Sequence, residues 1–251
     1  MSDDIPFVLP LLRDGIDPVE ELGALRTSTP IVQLEIPGGV KAWLVTKYDD
    51  VRAVLGDHER FSNDFTKLAE AGELQMLLQS DPGGLGLIDP PDHTRLRRIL
   101  TPEFTMRRLR RLDPKIELII EKQLDALAAA GPGADLVALY ANPIPSLVIC
   151  DLLGVPYEER DEFAKHSQDR FNFTGDLADS LGEISESLKY LTRIVEKMRQ
   201  SPNDGLIGQI ITEHGDSITD IELAGLADGL LTGGLETTAS MIALGAHIIM
   251  Q

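Results

Sequence analysis

The sequence predicts a mainly α-helical fold with one small β-hairpin, and three observations carry that prediction. Most segments between Asp17 and Arg199 repeat apolar residues at the three-to-four spacing of an amphipathic helix. Only Ile31 to Ile36 and Lys41 to Thr46 alternate, on either side of Pro37-Gly38-Gly39, as two paired strands do. Finally, Asp220 to Gln251 reads as one long helix, apolar almost all round from Leu223 to Met250, which suits a helix through the centre of a domain. A membrane span is the rival reading of that stretch. Asp228, Glu236 and His247 interrupt it and leave too short an apolar run to cross a bilayer.

Each element has a local cause. A helix is expected over Asp17 to Arg26, with Asp17 as cap, Pro18 in the first turn, and Glu20 and Glu21 at the positive end of the dipole. After the hairpin, Asp49-Asp50 caps a short helix over Val51 to Leu55, and Phe61 to Asp64 reads as a turn. Phe65 to Leu87 is loosely specified, with a helix over Leu68 to Leu78 and a breaker at Asp81-Pro82-Gly83-Gly84, a pattern typical of a binding loop or lid. Asp89 caps and Pro90 opens the next helix. Ile116 to Ala130 follows as an amphipathic helix stopped by Gly131, then Asp135 to Tyr140 as a brief strand. Pro145 to Leu153 is an apolar helix ended by Gly154-Val155-Pro156. Glu158 to Arg170 and Leu177 to Arg199 are charged amphipathic helices separated by Phe171 to Gly175, and Gly205 to His214 is a shorter one. Ser217 to Asp220 supplies the cap of the last helix. With no repeat and no linker, residues 1–251 read as a single domain.

Composition narrows the function. The net charge of −18, from 23 basic and 41 acidic residues, disfavours nucleic acid or an anionic membrane as partner. The N-terminus has no basic n-region or apolar h-region, and the lone Cys150 permits no internal disulfide and no zinc spacing. A cytoplasmic protein is expected. Cys150, inside an apolar helix, reads as a small buried hydrophobe.

Chemistry concentrates at two places. In the last helix Gly225, Gly229 and Gly233 recur every fourth residue, with Gly234 completing a pair, and each costs about 1 kcal/mol of helix propensity against alanine. Something must approach that backbone, either a neighbouring helix or a ligand. Thr237 stands four residues after Gly233, where its hydroxyl can bond back to the Gly233 carbonyl and bend the helix. Glu236, Thr237 and Thr238 place an acid and two alcohols beside the loosened turn, in an oily segment where they can deliver protons. The second place is Asp89-Pro90-Pro91-Asp92-His93-Thr94-Arg95-Leu96-Arg97-Arg98, which sets His93 and Arg97 at i and i+4 on one helix face. His93 to Lys115 holds eight basic and two acidic residues, net +6 on a strongly acidic chain. Such a segment suits a dianionic ligand or an acidic partner protein, or is an arginine-rich face in solvent.

The order of these pieces resembles the N-terminal part of a bacterial, soluble cytochrome P-450, a haem-thiolate monooxygenase. The resemblance rests on the hairpin, Asp49-Asp50-Val51, Phe61-Ser62, Asp89 to Arg98, Ile149 to Pro156, and Gly233-Gly234-Leu235-Glu236-Thr237-Thr238. It implies a cytochrome P-450-like fold, incomplete at the C-terminus, and a haem b cofactor. His93 and Arg97 match positions that bind the haem propionates. Gly233 and Gly234 match the place where the long helix crosses the ring and leaves room for O2, and Glu236 and Thr237 match the proton-delivering acid and alcohol. Phe65 to Leu87, Phe171 to Thr174 and Leu230 to Leu235 would border an apolar small-molecule substrate. The basic face, with Arg107, Arg108, Arg110 and Arg111, would receive a ferredoxin or flavoprotein electron donor. The family's Glu-x-x-Arg helix and cysteine loop would follow Gln251, so no residue fills the axial metal position here; Cys150 and His247 read as structural. Two other functions remain open: an inactive, truncated remnant lacking the haem ligand, and a helical interaction protein using its arginine-rich face. The apolar face of the last helix is expected to lack part of its cover, leaving the isolated chain prone to aggregate.

Overall fold

A computed structural model of the chain describes residues 9–36, 40–64, 85–156, 159–160, 162 and 177–250. Contacts sort the chain into two compact units, Met1–Ser62 and Asn63–Gln251. Among the described residues no helix is long and apolar enough to cross a membrane.

In the first unit, β1 (Arg13–Asp14) and β2 (Asp17–Pro18) pair antiparallel across Gly15, whose φ is +61°. Asp17 and Pro18 therefore do not open the first helix as the sequence suggests. The turn at Gly15 folds them back onto Arg13 and Asp14, and α1 runs Glu20–Ser28 without a side-chain cap. Glu20 and Glu21 still occupy its first turn and Arg26 its last, matched to the dipole. The predicted hairpin forms from β3 (Ile31–Ile36) and β4 (Val40–Val45), with Ile31 opposite Val45 and Ile36 opposite Val40. Val32 and Leu34 are buried whereas Ile31 and Trp43 are exposed, the one-sided burial that alternation encodes. Helix α2 spans Tyr48–Gly56. Asp49 and Asp50 lie inside its first turn rather than at the cap, where Lys47 stands.

The second unit is helical: α3 (Asp92–Leu100), α4 (Met106–Leu109), α5 (Asp113–Ala130), α6 (Pro143–Leu153), α7 (Leu177–Gln200), α8 (Leu206–His214), α9 (Asp220–Gly234) and α10 (Glu236–Ile249). One buried cluster joins Leu96 and Leu100 of α3, Ile149 and Leu153 of α6, Leu191 and Ile194 of α7, Ile207 and Ile210 of α8, and Leu223 and Leu231 of α9. Val137–Ala141, which overlaps the strand expected over Asp135 to Tyr140, instead forms a π-helical turn in which the Asn142 N–H donates to the Val137 carbonyl at 3.0 Å. The cause is Asp135, whose carboxylate accepts the backbone N–H of Val137 at 2.8 Å and of Ala138 at 3.1 Å and so starts a helix. Most of the expected lid, Phe65 to Leu87, and most of the expected helix Glu158 to Arg170 with Phe171 to Thr174, lie outside the described residues; Leu85–Leu87 forms a 3₁₀ turn.

Two joints fix the helices around α9. Arg199, at the end of α7, pairs with Asp220 and donates to the carbonyls of Gly215 at 3.1 Å and Ile218 at 2.7 Å, tying α7 to the start of α9. Gly154 ends α6 in the left-handed conformation at φ 83°, and Asn203 donates to its carbonyl at 2.7 Å while accepting the Gly205 N–H at 3.0 Å. The main chains touch there: a Cβ on Gly205 would lie 2.3 Å from Gly154 Cα, and one on Gly208 only 2.1 Å from the Asn203 carbonyl oxygen.

Gly205→Ala should therefore lower folding stability by about 1–3 kcal/mol, the scale of overpacking a rigid contact. Gly23→Ala, in α1 where a Cβ meets nothing within 4 Å among the described residues, should raise it by up to about 1 kcal/mol through helix propensity. Chemical denaturation of the two variants checks the contrast; a Gly205→Ala variant as stable as the parent would contradict the close approach.

Candidate functional site

The last helix is not continuous. Its start is a capping box: the Thr219 hydroxyl accepts the Glu222 N–H at 3.2 Å, and the Glu222 carboxylate accepts the Thr219 N–H at 2.9 Å. From Leu223 to Asp228 every residue is buried. The helix then breaks at Leu235, which lies outside both α9 and α10, although its N–H still donates to Leu231 and its carbonyl accepts from Ala239. The Thr237 hydroxyl donates to the Gly233 carbonyl at 2.7 Å. In a straight helix that carbonyl would take the backbone N–H of the same threonine. Sequence reasoning anticipated this bond and the bend, but not the division into two helices.

The glycine pair splits into two roles. Among the described residues, and apart from its own helix backbone, no atom lies within 4 Å of a Cβ placed on Gly233, so its backbone faces open space there. A Cβ on Gly234 would lie 2.9 Å from Ile149 Cδ1; its missing side chain lets α6 pack under the break. Glu236, Thr237 and Thr238 are exposed rather than buried, whereas Leu235 and Ala239 on either side of them are buried. Glu236 accepts a hydrogen bond from Ser240 at 3.3 Å. Farther along α10, Met241, Leu244 and Ile248 form an exposed apolar stripe, as the sequence led one to expect. His247, on the same helix, is exposed.

Helix α3 begins at Asp92. Asp89 does not cap it: its carboxylate instead accepts the Asn63 N–H at 2.9 Å, while its carbonyl takes the His93 N–H at 3.0 Å. His93 and Arg97 keep the predicted common face. His93 is half-buried, Arg97 is exposed, and neither side chain has a partner among the described residues. Leu96 and Leu100 of α3 share the buried cluster with Leu231 and Leu235, which flank the glycine pair, so one core supports both halves of the candidate site.

The basic segment proves heterogeneous. Arg95 pairs with Glu222 and, more loosely at 3.9 Å, with Asp92; Lys115 reaches Asp151 at 3.3 Å. Arg108 is bound to Glu103, a carboxylate 2% exposed, and to Glu213 at 2.9 Å, so it is a structural cation rather than a free docking one. Arg98, Arg107, Arg110 and Arg111 are exposed, and their side chains have no partner among the described residues. The sequence reading missed Glu103, Glu222 and the Gly154–Asn203–Gly205 joint. Only Glu222 carried a legible signal, the Thr-x-x-Glu spacing from Thr219.

Other titratable groups fall away from the site. Cys150 is fully buried, and burial foremost pushes its thiol up to about 12, with the nearby Arg160 countering only partly. A thiol so protonated is no metal ligand. Among the described residues no cluster of three or more His, Cys, Asp or Glu side chains is arranged to hold a metal ion. An open depression of about 610 Å³ in the first unit, lined by Asp49, Arg52, Asp57, His58 and Glu59 among others, holds none of the candidate residues.

A mainly helical second unit, with a buried helix that breaks just after a glycine pair and is bonded back through a threonine, agrees with the cytochrome P450-like fold that the resemblance implied, and solved structures show that fold. No family model matches the chain, but related proteins do. It is 37% identical to cytochrome P450 165C4 of Amycolatopsis orientalis over 266 residues, covering 100% of this chain and 65% of that protein. It is 36% identical to mycinamicin IV hydroxylase/epoxidase of Micromonospora griseorubida, covering 94% of this chain and 59% of that one. The crystal structure of OxyC, a cytochrome P450 implicated in an oxidative C–C coupling reaction during vancomycin biosynthesis, superposes with a TM-score of 0.75 at 37% identity, over 92% of this chain and 57% of that one. The chain belongs to the bacterial cytochromes P450 and corresponds to their N-terminal part. It spans less than two thirds of the length of these relatives.

Charge at the site tests two of these contacts. Arg108→Ala should cost about 3 kcal/mol, because it strands the Glu103 carboxylate, whose other oxygen already lacks a partner. Arg110→Ala should stay within about 0.5 kcal/mol of the parent, as an exposed change with no contact to lose. Thermal and denaturant unfolding of both variants reads the difference.

The Glu222 carboxyl responds to pH. Burial raises its pKa, but the Thr219 N–H and the Arg95 guanidinium outweigh that and hold it below the ordinary value of 4.5. A lowered folded-state pKa means stability that is complete above the unfolded value and lost as pH falls through the folded one. The stability gap between the parent and Glu222→Gln should thus be flat near neutrality and shrink below about pH 4.5. A gap independent of pH would contradict the pairing.

Proposed function

We propose that residues 1–251 form the N-terminal part of one cytochrome P450 domain whose intact protein is a cytoplasmic haem-thiolate monooxygenase acting on an apolar small molecule. The observation that carries this reading is the break at Leu235, where the Gly233 backbone opens to space beside a threonine already bonded to its carbonyl. The residues present fit a haem. A flat ring can lie against main chain only where no Cβ stands, which Gly233 provides. Two propionates need hydrogen-bond donors that are not otherwise engaged, which the His93 imidazole and the Arg97 guanidinium offer among the described residues. When bound, the haem supplies oxygen activation and transfer of one oxygen atom from O2, with electrons from a ferredoxin or flavoprotein donor.

The chain's own residues would divide the remaining work. Gly233 admits the ring and O2, and Gly234 lets Ile149 hold the break from beneath. Thr237 and Glu236 hold and pass protons at the opened turn: the hydroxyl of one is anchored by the Gly233 carbonyl, and the carboxylate of the other sits one residue before it. Leu230 to Leu235 border the substrate from the long helix. Arg107, Arg110 and Arg111 are the accessible cations for an acidic electron donor, with Arg108 holding their segment in place. The relatives' names range from C–C coupling to hydroxylation and epoxidation at nearly equal identity, so the shared feature is the oxygen-handling frame rather than the substrate.

Titration of the chain with ferric haem, followed by its Soret absorbance, tests the reading. Gly233→Leu should weaken uptake at least about tenfold, because the new side chain fills the open face. Reduction under carbon monoxide should not give the thiolate-type Soret band, and Cys150→Ala should leave the spectrum unchanged, since that thiol is buried and protonated. Equal haem uptake by the parent and Gly233→Leu would overturn the assignment.

A further inference from the structure

Glu222 does two things with one carboxylate. Its Oε2 accepts the Thr219 N–H at 2.9 Å and the Thr219 hydroxyl at 3.1 Å, completing the cap of α9. Its Oε1 accepts from Arg95 Nη2 in α3, which is 127 residues away in sequence. Among the described residues this is the ion pair that joins the helix bearing His93 and Arg97 to the helix bearing Gly233 and Gly234. Both side chains are partly covered, with 39% of Arg95 and 24% of Glu222 exposed, so the contact is more shielded than a free surface pair.

Helix α3 needs such a constraint. It has nine residues and no side-chain cap at its start, too short to hold its own position. Its apolar anchors, Leu96, Ile99 and Leu100, contact the core non-directionally and so resist rotation weakly. At about 100° per residue, Arg95 borders that apolar stripe on one side, whereas His93 and Arg97 border it on the other. Holding the Arg95 flank to the capped, buried end of α9 therefore sets the roll of α3 and the direction in which His93 and Arg97 point.

We propose that Arg95 and Glu222 are positioning residues that fix the carboxylate-binding face of α3 relative to the long helix, and so set affinity for the two propionates. The proposal rests on the haem reading given above. Arg95 would act through His93 and Arg97 and touch no ligand itself.

The test uses the full chain and two probes, ferric protoporphyrin IX and its dimethyl ester, which has the same ring without ionised propionates. Arg95→Leu leaves the α9 capping box intact. It should weaken binding of the free acid roughly tenfold, the scale of one misplaced charged hydrogen bond, and leave the ester unchanged. Arg95→Lys should recover most of the loss. If Arg95→Leu does not fold, Glu222→Gln, whose amide can still complete the cap, should show the same selective loss. Equal weakening of both porphyrins would reduce the pair to a general structural role and overturn the proposal. So would an unchanged free-acid affinity while Arg97→Ala still weakens it. The haem reading fails separately if Arg97→Ala itself does not discriminate acid from ester. Uptake of neither porphyrin by the parent would overturn both.

Discussion

Burial of α9 on nearly every side is the constraint on which the second unit depends. Six consecutive residues, Leu223 to Asp228, are removed from solvent, which no amphipathic surface helix allows. Such a helix must be small enough for its neighbours to reach it, hence Ala224, Gly225 and Ala227. It must also be held at its exposed end, and there the Thr219–Glu222 box and Arg199 converge on its first turn. Helices α3, α6, α7 and α8 then take their places in the cluster around it. The enclosure ends just ahead of the break at Leu235: Leu231 and Leu235 are buried, Thr232 and Gly233 between them are exposed, and Ala239 is the one buried residue among those of α10.

The same geometry explains what could be read directly from the sequence. Patterns that encode a local, one-dimensional preference were legible: alternation gave the hairpin, glycine gave the ends of α5 and α6, and the four-residue step from Gly233 to Thr237 gave the hydroxyl bond. Errors arose where a polar residue had a choice of partners. Asp17 and Asp89 both carry the chemistry of a helix cap, yet one lies in a strand turned by Gly15 and the other binds the Asn63 N–H, 26 residues away. Asp135 made the reverse case, capping a π-helical turn where the apolar run after it looked like a strand. Competition between a local cap and a tertiary acceptor is decided by positions that a linear pattern does not contain.

Charge followed a similar division at the candidate site. A segment with net +6 looks uniform in sequence, yet the fold sorts it by depth. Arg95, Arg108 and Lys115 each meet a carboxylate from a distant element, and these pairs stitch the segment to α9, α8 and α6. The side chains of the remaining arginines and of His93 have no partner among the described residues. Separating the two sets required knowing where Glu213, Glu222 and Asp151 lie. The i, i+4 placement of His93 and Arg97 depended only on helix geometry and survived even though the expected cap did not.

The two glycines show why a motif must be resolved residue by residue. On spacing alone, Gly233 and Gly234 can serve either close helix packing or close approach of a ligand; Gly234 lies against Ile149, whereas the described residues leave Gly233 open. Gly234 lies against Ile149, so a Cβ there would make the Ile149 terminal methyl shift whether or not a ring is ever bound. Gly233 has no neighbour to accommodate, so packing of the described chain gives no reason for the propensity it sacrifices. A backbone left bare among the described residues, one turn from a hydroxyl that holds its carbonyl, is therefore the feature on which the proposed haem contact rests.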